Sequence, residues 1–314
     1  MPLDPQAQVF LDQLAVIGGP PMSELSPVEA RAQMAQLAGL ASRPPTRVPT
    51  FDQTVPGPGG PIPVRIYRPP SDQPLPVVVF FHGGGWVIGD LETHDSLGHA
   101  LASVPAVVVS VDYRLAPEAP FPAAVDDCEA VTAWVAEHAG ELGGDPGRIA
   151  VAGDSAGGNL AAVVALRARD NDGPAIAFQL LVYPVTDATC SSESYRENAE
   201  GYLLTAQTMD WFLAHYLGPD RADKVRRADV SPLFAEDLSG LPPAHIITAE
   251  FDPLRDEGEA FGARLRAAGV DVVVSRYDGM IHSFWGMDAI LDRAGAALEE
   301  SLSALRAGLR PRDG

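Results

Sequence analysis

The sequence predicts an α/β protein with a mostly parallel central sheet covered by helices on both faces. Two observations carry this expectation. From Val77 onward, short β-branched runs alternate with helical patterns, and such unbroken apolar runs suit strands buried on both sides. The 314 residues, 46% of them apolar and 20% charged, are also enough to bury one large core.

Residues 5 to 40 show helical spacing, first Val9, Leu11, Leu14 and Val16, then Val28, Met34, Leu37 and Leu40. Gly18-Gly19-Pro20-Pro21 divides them into two short helices. Eleven prolines lie between Pro44 and Pro76, more than a central strand could hold. The two strand-like runs there, Val48 to Val55 and Ile62 to Arg68, are therefore expected at a sheet edge and antiparallel. Six further strands are expected, all buried on both faces: Val77 to Phe81, Ala106 to Val111, Ile149 to Ala152, Ala177 to Val182, His245 to Ala249 and Val272 to Tyr277. Helices over about 121 to 139, 156 to 169, 256 to 268 and 288 to 307 connect or close them.

The alternation stops between Pro184 and Leu241, where a polar stretch, Asp187 to Asn198, precedes an amphipathic helix, Thr205 to Leu217. So long an insertion reads as a lid over the carboxyl edge of the sheet. For any single aromatic in it, ordinary packing against the main body weighs about as much. The expected division is an N-terminal helical cap segment over 1–45, a catalytic body over 46–186 and 226–314, and a cap insertion over 187–225.

Forty-two acidic against 22 basic residues give a net charge of −20, which disfavours nucleic acid and anionic membranes as partners. Cys128 and Cys190 are too few for a disulfide framework, and their state is open. The first residues lack a signal-peptide pattern and no apolar run reaches membrane-spanning length, so a cytoplasmic protein without an integral span is the expectation.

The chemistry centres on Gly153-Asp154-Ser155-Ala156-Gly157, set between an apolar strand and an alanine-rich helix. In a strand–turn–helix elbow a serine is strained and held out above the sheet, and glycines two before and two after relieve the crowding. The helix N-terminus behind it favours a developing negative charge. The strand ending at Phe81 runs into His82-Gly83-Gly84-Gly85-Trp86, so the amides of Gly83 and Gly84, with that of Ala156, are the expected oxyanion donors. His82 reads as a residue that fixes this loop.

A serine needs a base. His138 falls in a helix, His215 in the lid and His245 at the start of a strand, while His94 and His99 read as structural or surface residues. His282, five residues past Tyr277, lies at the right edge. Asp252, just past Ala249, is the expected orienting carboxylate, with Glu250 as runner-up. Thirty residues separate Asp252 from His282, room for one helix and one strand, and a right-handed crossover would place them side by side. Trp86, Asp154 and Phe212 are the candidate substrate-binding residues.

The glycine loop, Asp112-Tyr113-Arg114-Leu115-Ala116-Pro117-Glu118, Phe121-Pro122-Ala123-Ala124-Val125-Asp126-Asp127, the serine elbow, Asp252-Pro253-Leu254-Arg255-Asp256-Glu257-Gly258 and His282-Ser283-Phe284 together resemble the bacterial hormone-sensitive lipase family of carboxylesterases, in its GDSAG-type branch. The likeness covers roughly residues 45 to 310. It implies an α/β-hydrolase fold with a helical cap, no metal or cofactor, a small-molecule ester as partner, short acyl chains, and triad roles for Ser155, Asp252 and His282. Asp112, Arg114 and Glu118 read as a network supporting the glycine loop, and Asp126 and Asp127 as possible helix-dipole partners. A homodimer stays open. The rival readings are an amidase or peptidase of the same fold and a non-catalytic small-molecule-binding module.

Overall fold

The computed structural model describes residues 2–37 and 47–311; Leu40 and the expected 45/46 boundary lie outside them. Helices α1 (Pro5–Ile17) and α2 (Pro27–Leu37) precede the antiparallel strands β1 (Thr50–Val55) and β2 (Ile62–Tyr67). Then come β3 (Leu75–Phe81), α3 (Asp95–Leu101), β4 (Val107–Val111), α4 (Ala123–His138), β5 (Gly144–Asp154), α5 (Ala156–Asp170) and β6 (Phe178–Val182). The long interval holds α6 (Glu193–Glu197), α7 (Ala206–Leu217) and α8 (Arg221–Lys224), and β7 (Ala244–Phe251), α9 (Arg255–Ala267), β8 (Val272–Ile281) and α10 (Asp292–Gly308) complete the chain.

The eight strands form one sheet in the order β1-β2-β4-β3-β5-β6-β7-β8. β1 and β2 pair antiparallel and β2 joins β4 antiparallel; every other pairing is parallel. Side chains of α4, α5 and α9 fill the core on one face, and those of α3 and α10 on the other. The parallel strands point their carboxyl ends to one edge. There Phe81 lies opposite Gly153, and Phe251 opposite Ile281, so the loops leaving β3 and β5 are neighbours, as are those leaving β7 and β8.

Two expectations are corrected. β8 is not buried on both faces: as the edge strand it leaves Val273 exposed and several neighbours half-exposed. Nor do the spaced valines of the N-terminal helices face the core, for Val9, Val16 and Val28 are exposed. α1 and α2 instead make their fully buried contacts through the small residues Ala7 and Ala30, which allow close approach. Asp4 caps α1, and its amide donates to the Gly279 carbonyl, tying the chain start to β8.

Candidate active site

Ser155 sits at φ 55°, in the left-handed region, directly between β5 and α5. Its neighbours must be small: a Cβ on Gly157 would run into the Phe81 carbonyl, and one on Gly153 into the backbone of Gly157. The amide of Ser155 donates to the Val182 carbonyl at 2.8 Å and its carbonyl accepts from Asn159, so the turn is pinned to β6 and α5.

β7 and β8 run further than their apolar runs suggest, which places Asp252 and His282 immediately after their last residues. The imidazole bridges the other two groups. His282 Nδ1 lies 2.7 Å from Asp252 Oδ2, and Nε2 lies 3.0 Å from Ser155 Oγ. Asp252 Oδ1 accepts the Leu254 amide, and the carboxylate is wholly buried. Ser155 and His282 are 7% and 4% exposed, so the three meet under cover rather than in an open cleft. Glu250 does not take the orienting role; it accepts the Gly279 amide.

Residues 78–286 match the family model described as the alpha/beta hydrolase fold. The chain belongs to the α/β-hydrolase family. Within it, the chain is similar to carboxylesterase NlhH of Mycobacterium tuberculosis, at 46% identity over 98% of this chain and 96% of that one. It is similar also to the ethyl acetate hydrolase of Pseudomonas putida, at 39% over 91% and 92%. Its fold superposes on a thermostable esterase from Pseudomonas putida ECU1011 with a TM-score of 0.95, 42% identity and 99% of both chains covered. The hydrolase is thus a member of the hormone-sensitive-lipase-like carboxylesterases, a carboxylic ester hydrolase by that membership.

The hydrolase's glycine loop differs from expectation at one amide. Gly83 donates its N–H to Asp154 Oδ1 at 2.9 Å and so faces away from any substrate oxygen. Among the described residues, the amides of Gly84, Gly85 and Ala156 have no protein acceptor. Asp154, expected to bind substrate, is therefore a brace beneath the loop. Around it lie His94 Nε2 at 3.8 Å, His82, whose Nδ1 is 2.7 Å from the Gly83 carbonyl, and Tyr113, which stacks on His82 and donates its hydroxyl to the His82 carbonyl. Burial raises the Asp154 carboxyl to about 6 and depresses both His82 and His94 to about 4, so the two imidazoles are neutral near pH 7.

Trp86, also expected at the substrate, is fully buried, its ring stacked on Tyr216 of α7. Phe212 does reach the site: its ring lies over Gly85, where any Cβ would run into it. Arg114 is paired with the buried Asp127, whose carboxylate also accepts the Arg114 amide, and Asp126 pairs with Arg167; neither aspartate is merely a dipole partner. Arg31 of α2 had no signal in the sequence, being one charge on a weakly patterned helix. It donates to the carbonyls of Val87 and Ala116 and pairs with Glu118, so it grips the glycine loop from outside. Cys128 and Cys190 are both free thiols. A hollow of about 630 Å³ between the end of α5 and residues 227–237 lies elsewhere, and its Arg167 is already paired with Asp126, Glu129 and Asp229. No described helix is long and apolar enough to cross a membrane.

Proposed function

We propose that this hydrolase cleaves short-chain acyl esters through an acyl-enzyme formed on Ser155. A neutral His282 with its proton on Nδ1 donates to Asp252 and accepts the serine proton at Nε2 as Oγ attacks the carbonyl carbon. Asp252 offsets the charge of the imidazolium. The amides of Gly84, Gly85 and Ala156 receive the oxyanion, the alcohol leaves with the proton held by His282, and water repeats the sequence to release the acid. The scheme calls on no metal or cofactor. The observation that carries it is the unbroken hydrogen-bonded line from Ser155 Oγ to Asp252.

The preference for short chains is supported by the compact insertion and by Phe212, whose ring bounds the space beside Gly85. A relative 39% identical bears ethyl acetate in its name. In the same reading, residues 1–45 and 187–225 form a cap over the body, and the ester is met in the cytoplasm. A homodimer or a monomer would be told apart by sedimentation equilibrium. Turnover of p-nitrophenyl esters from acetate to laurate tests the central reading. Acetate to hexanoate should be fastest and Ser155→Ala inert; an optimum at laurate would overturn the chain-length reading, and an active alanine variant the nucleophile.

A further inference from the structure

We propose that α7 does more than cover the site: through Tyr216, a positioning residue, it holds the oxyanion loop in its working shape and so acts on the rate of the chemical step. This rests on the ester hydrolysis proposed above.

Three successive residues of the loop have left-handed backbones, Gly84 at φ 116°, Gly85 at 57° and Trp86 at 61°. Glycine adopts such angles freely, but a bulky side chain resists them and keeps them only where its surroundings over-determine the conformation. For Trp86 two restraints are evident. The Ala116 amide donates to the Trp86 carbonyl at 2.8 Å, and the indole lies face to face with the Tyr216 ring, at 4.2 Å between centroids and 3° between planes. Tyr216 is itself fixed, since its carbonyl accepts the Phe121 amide and its ring meets Phe121 edge-on. Both rings are fully buried, and among the described residues neither the Trp86 Nε1 nor the Tyr216 hydroxyl has a hydrogen-bond partner. Ring contact, not hydrogen bonding, therefore joins them.

One turn before Tyr216 on the same helix face, Phe212 lies over Gly85. The two aromatic side chains thus press on consecutive loop residues. If the stack were lost, Trp86 could relax toward negative φ, turning the Gly85–Trp86 peptide and, through the permissive glycine torsions before it, misdirecting the amides of Gly84 and Gly85. Ground-state binding of the ester would be little changed. A lid that only covers would behave in the opposite way, altering KM and sparing kcat.

The test compares wild type, Tyr216→Phe, Tyr216→Leu, Trp86→Leu and the double variant on p-nitrophenyl butyrate. It also measures inhibition by butylboronic acid, whose tetrahedral serine adduct presents an oxygen to the same amides. Tyr216→Phe keeps the ring and should stay within about twofold of wild type. Tyr216→Leu should lower kcat by about 10- to 100-fold, with KM within about threefold and boronate affinity reduced in proportion, a partial version of losing an oxyanion donor. Because both residues act through one contact, the double variant should be no slower than Trp86→Leu alone. A raised KM with intact kcat, an unchanged Tyr216→Leu, or equal damage from Tyr216→Phe would each overturn the proposal. Should Tyr216→Leu fail to fold, Trp86→Phe is read the same way: kcat several-fold down with KM held supports it, and unchanged kcat overturns it. A wild type that neither turns over esters nor binds the boronate would overturn the esterase reading and the clamp together; an active wild type matched by Tyr216→Leu would sink the clamp alone.

Discussion

On one flank of Ser155, Asp252 and His282 leave the ends of two hydrogen-bonded strands, β7 and β8, whose pairing of Phe251 with Ile281 sets the two side by side. On the other flank the amides of Gly84 and Gly85 lie in an irregular loop that β3 only launches, and contacts from elsewhere give it shape: Asp154 below, Arg31 outside, Tyr216 and Phe212 above. Side chains carried on a sheet inherit the sheet's rigidity. Backbone amides in a loop need bracing from every element that touches them. The first flank should therefore fail only when a reacting group is removed, and the second should weaken by degrees as braces are taken away.

The largest effect expected on the sheet-built flank is from His282→Ala or Asp252→Asn, each lowering kcat by about 10⁴-fold or more. Stopped or steady-state hydrolysis of p-nitrophenyl butyrate measures it, and a loss under tenfold would break the distinction between the flanks. On the loop flank, Asp154→Ala removes the acceptor of the Gly83 amide and should cost about 10- to 100-fold in kcat with KM little moved. Asp154→Asn keeps an acceptor oxygen and should lose only a few-fold.

The same residue gives a pH test. Burial raises the Asp154 carboxyl from 3.8 to about 6. A carboxyl so raised contributes stability that is fully present below pH 3.8 and lost as pH climbs through about 6. Asp154→Asn has no proton to lose, so in urea unfolding it should exceed wild type by about 1–3 kcal/mol at pH 8 and show no gain near pH 4. A larger gain at pH 4 than at pH 8 would reverse the assignment. The smallest effect belongs to the outer brace. Arg31→Met gives up the bonds to Val87 and Ala116 and should cost about 1–2 kcal/mol of stability and a few-fold in kcat.

The same contrast governs what could be read from the residues. The mostly parallel sheet with its antiparallel edge, the elbow and the meeting of Ser155, His282 and Asp252 were legible because period, strand ends and steric need for small residues are local properties of the chain. Strand ends were read short at β7 and β8, since Glu250 and Asp278 interrupt the apolar runs although the ladder continues past them. The loop after β3 was legible only as a glycine run. Which of three glycine amides points inward depends on torsions fixed by distant partners, hence Gly83 was expected where the free amide belongs to Gly85. Trp86 was read as a pocket wall for the same reason: nothing in its neighbourhood announces a stack on residue 216. In the N-terminal helices the spaced valines face outward, while Ala7 and Ala30 are fully buried and Phe10, Leu11 and Met34 pack half-buried against the core.

Central to the account is a serine made nucleophilic by His282 and Asp252. The most direct measurement is stoichiometric labelling with p-nitrophenyl ethyl phosphonate, followed by peptide mass mapping of wild type and His282→Ala. One phosphonyl group on the peptide holding Ser155, formed with release of one equivalent of p-nitrophenol and nearly absent in the histidine variant, is the predicted result. Labelling of another residue, or equally fast labelling without His282, would contradict it.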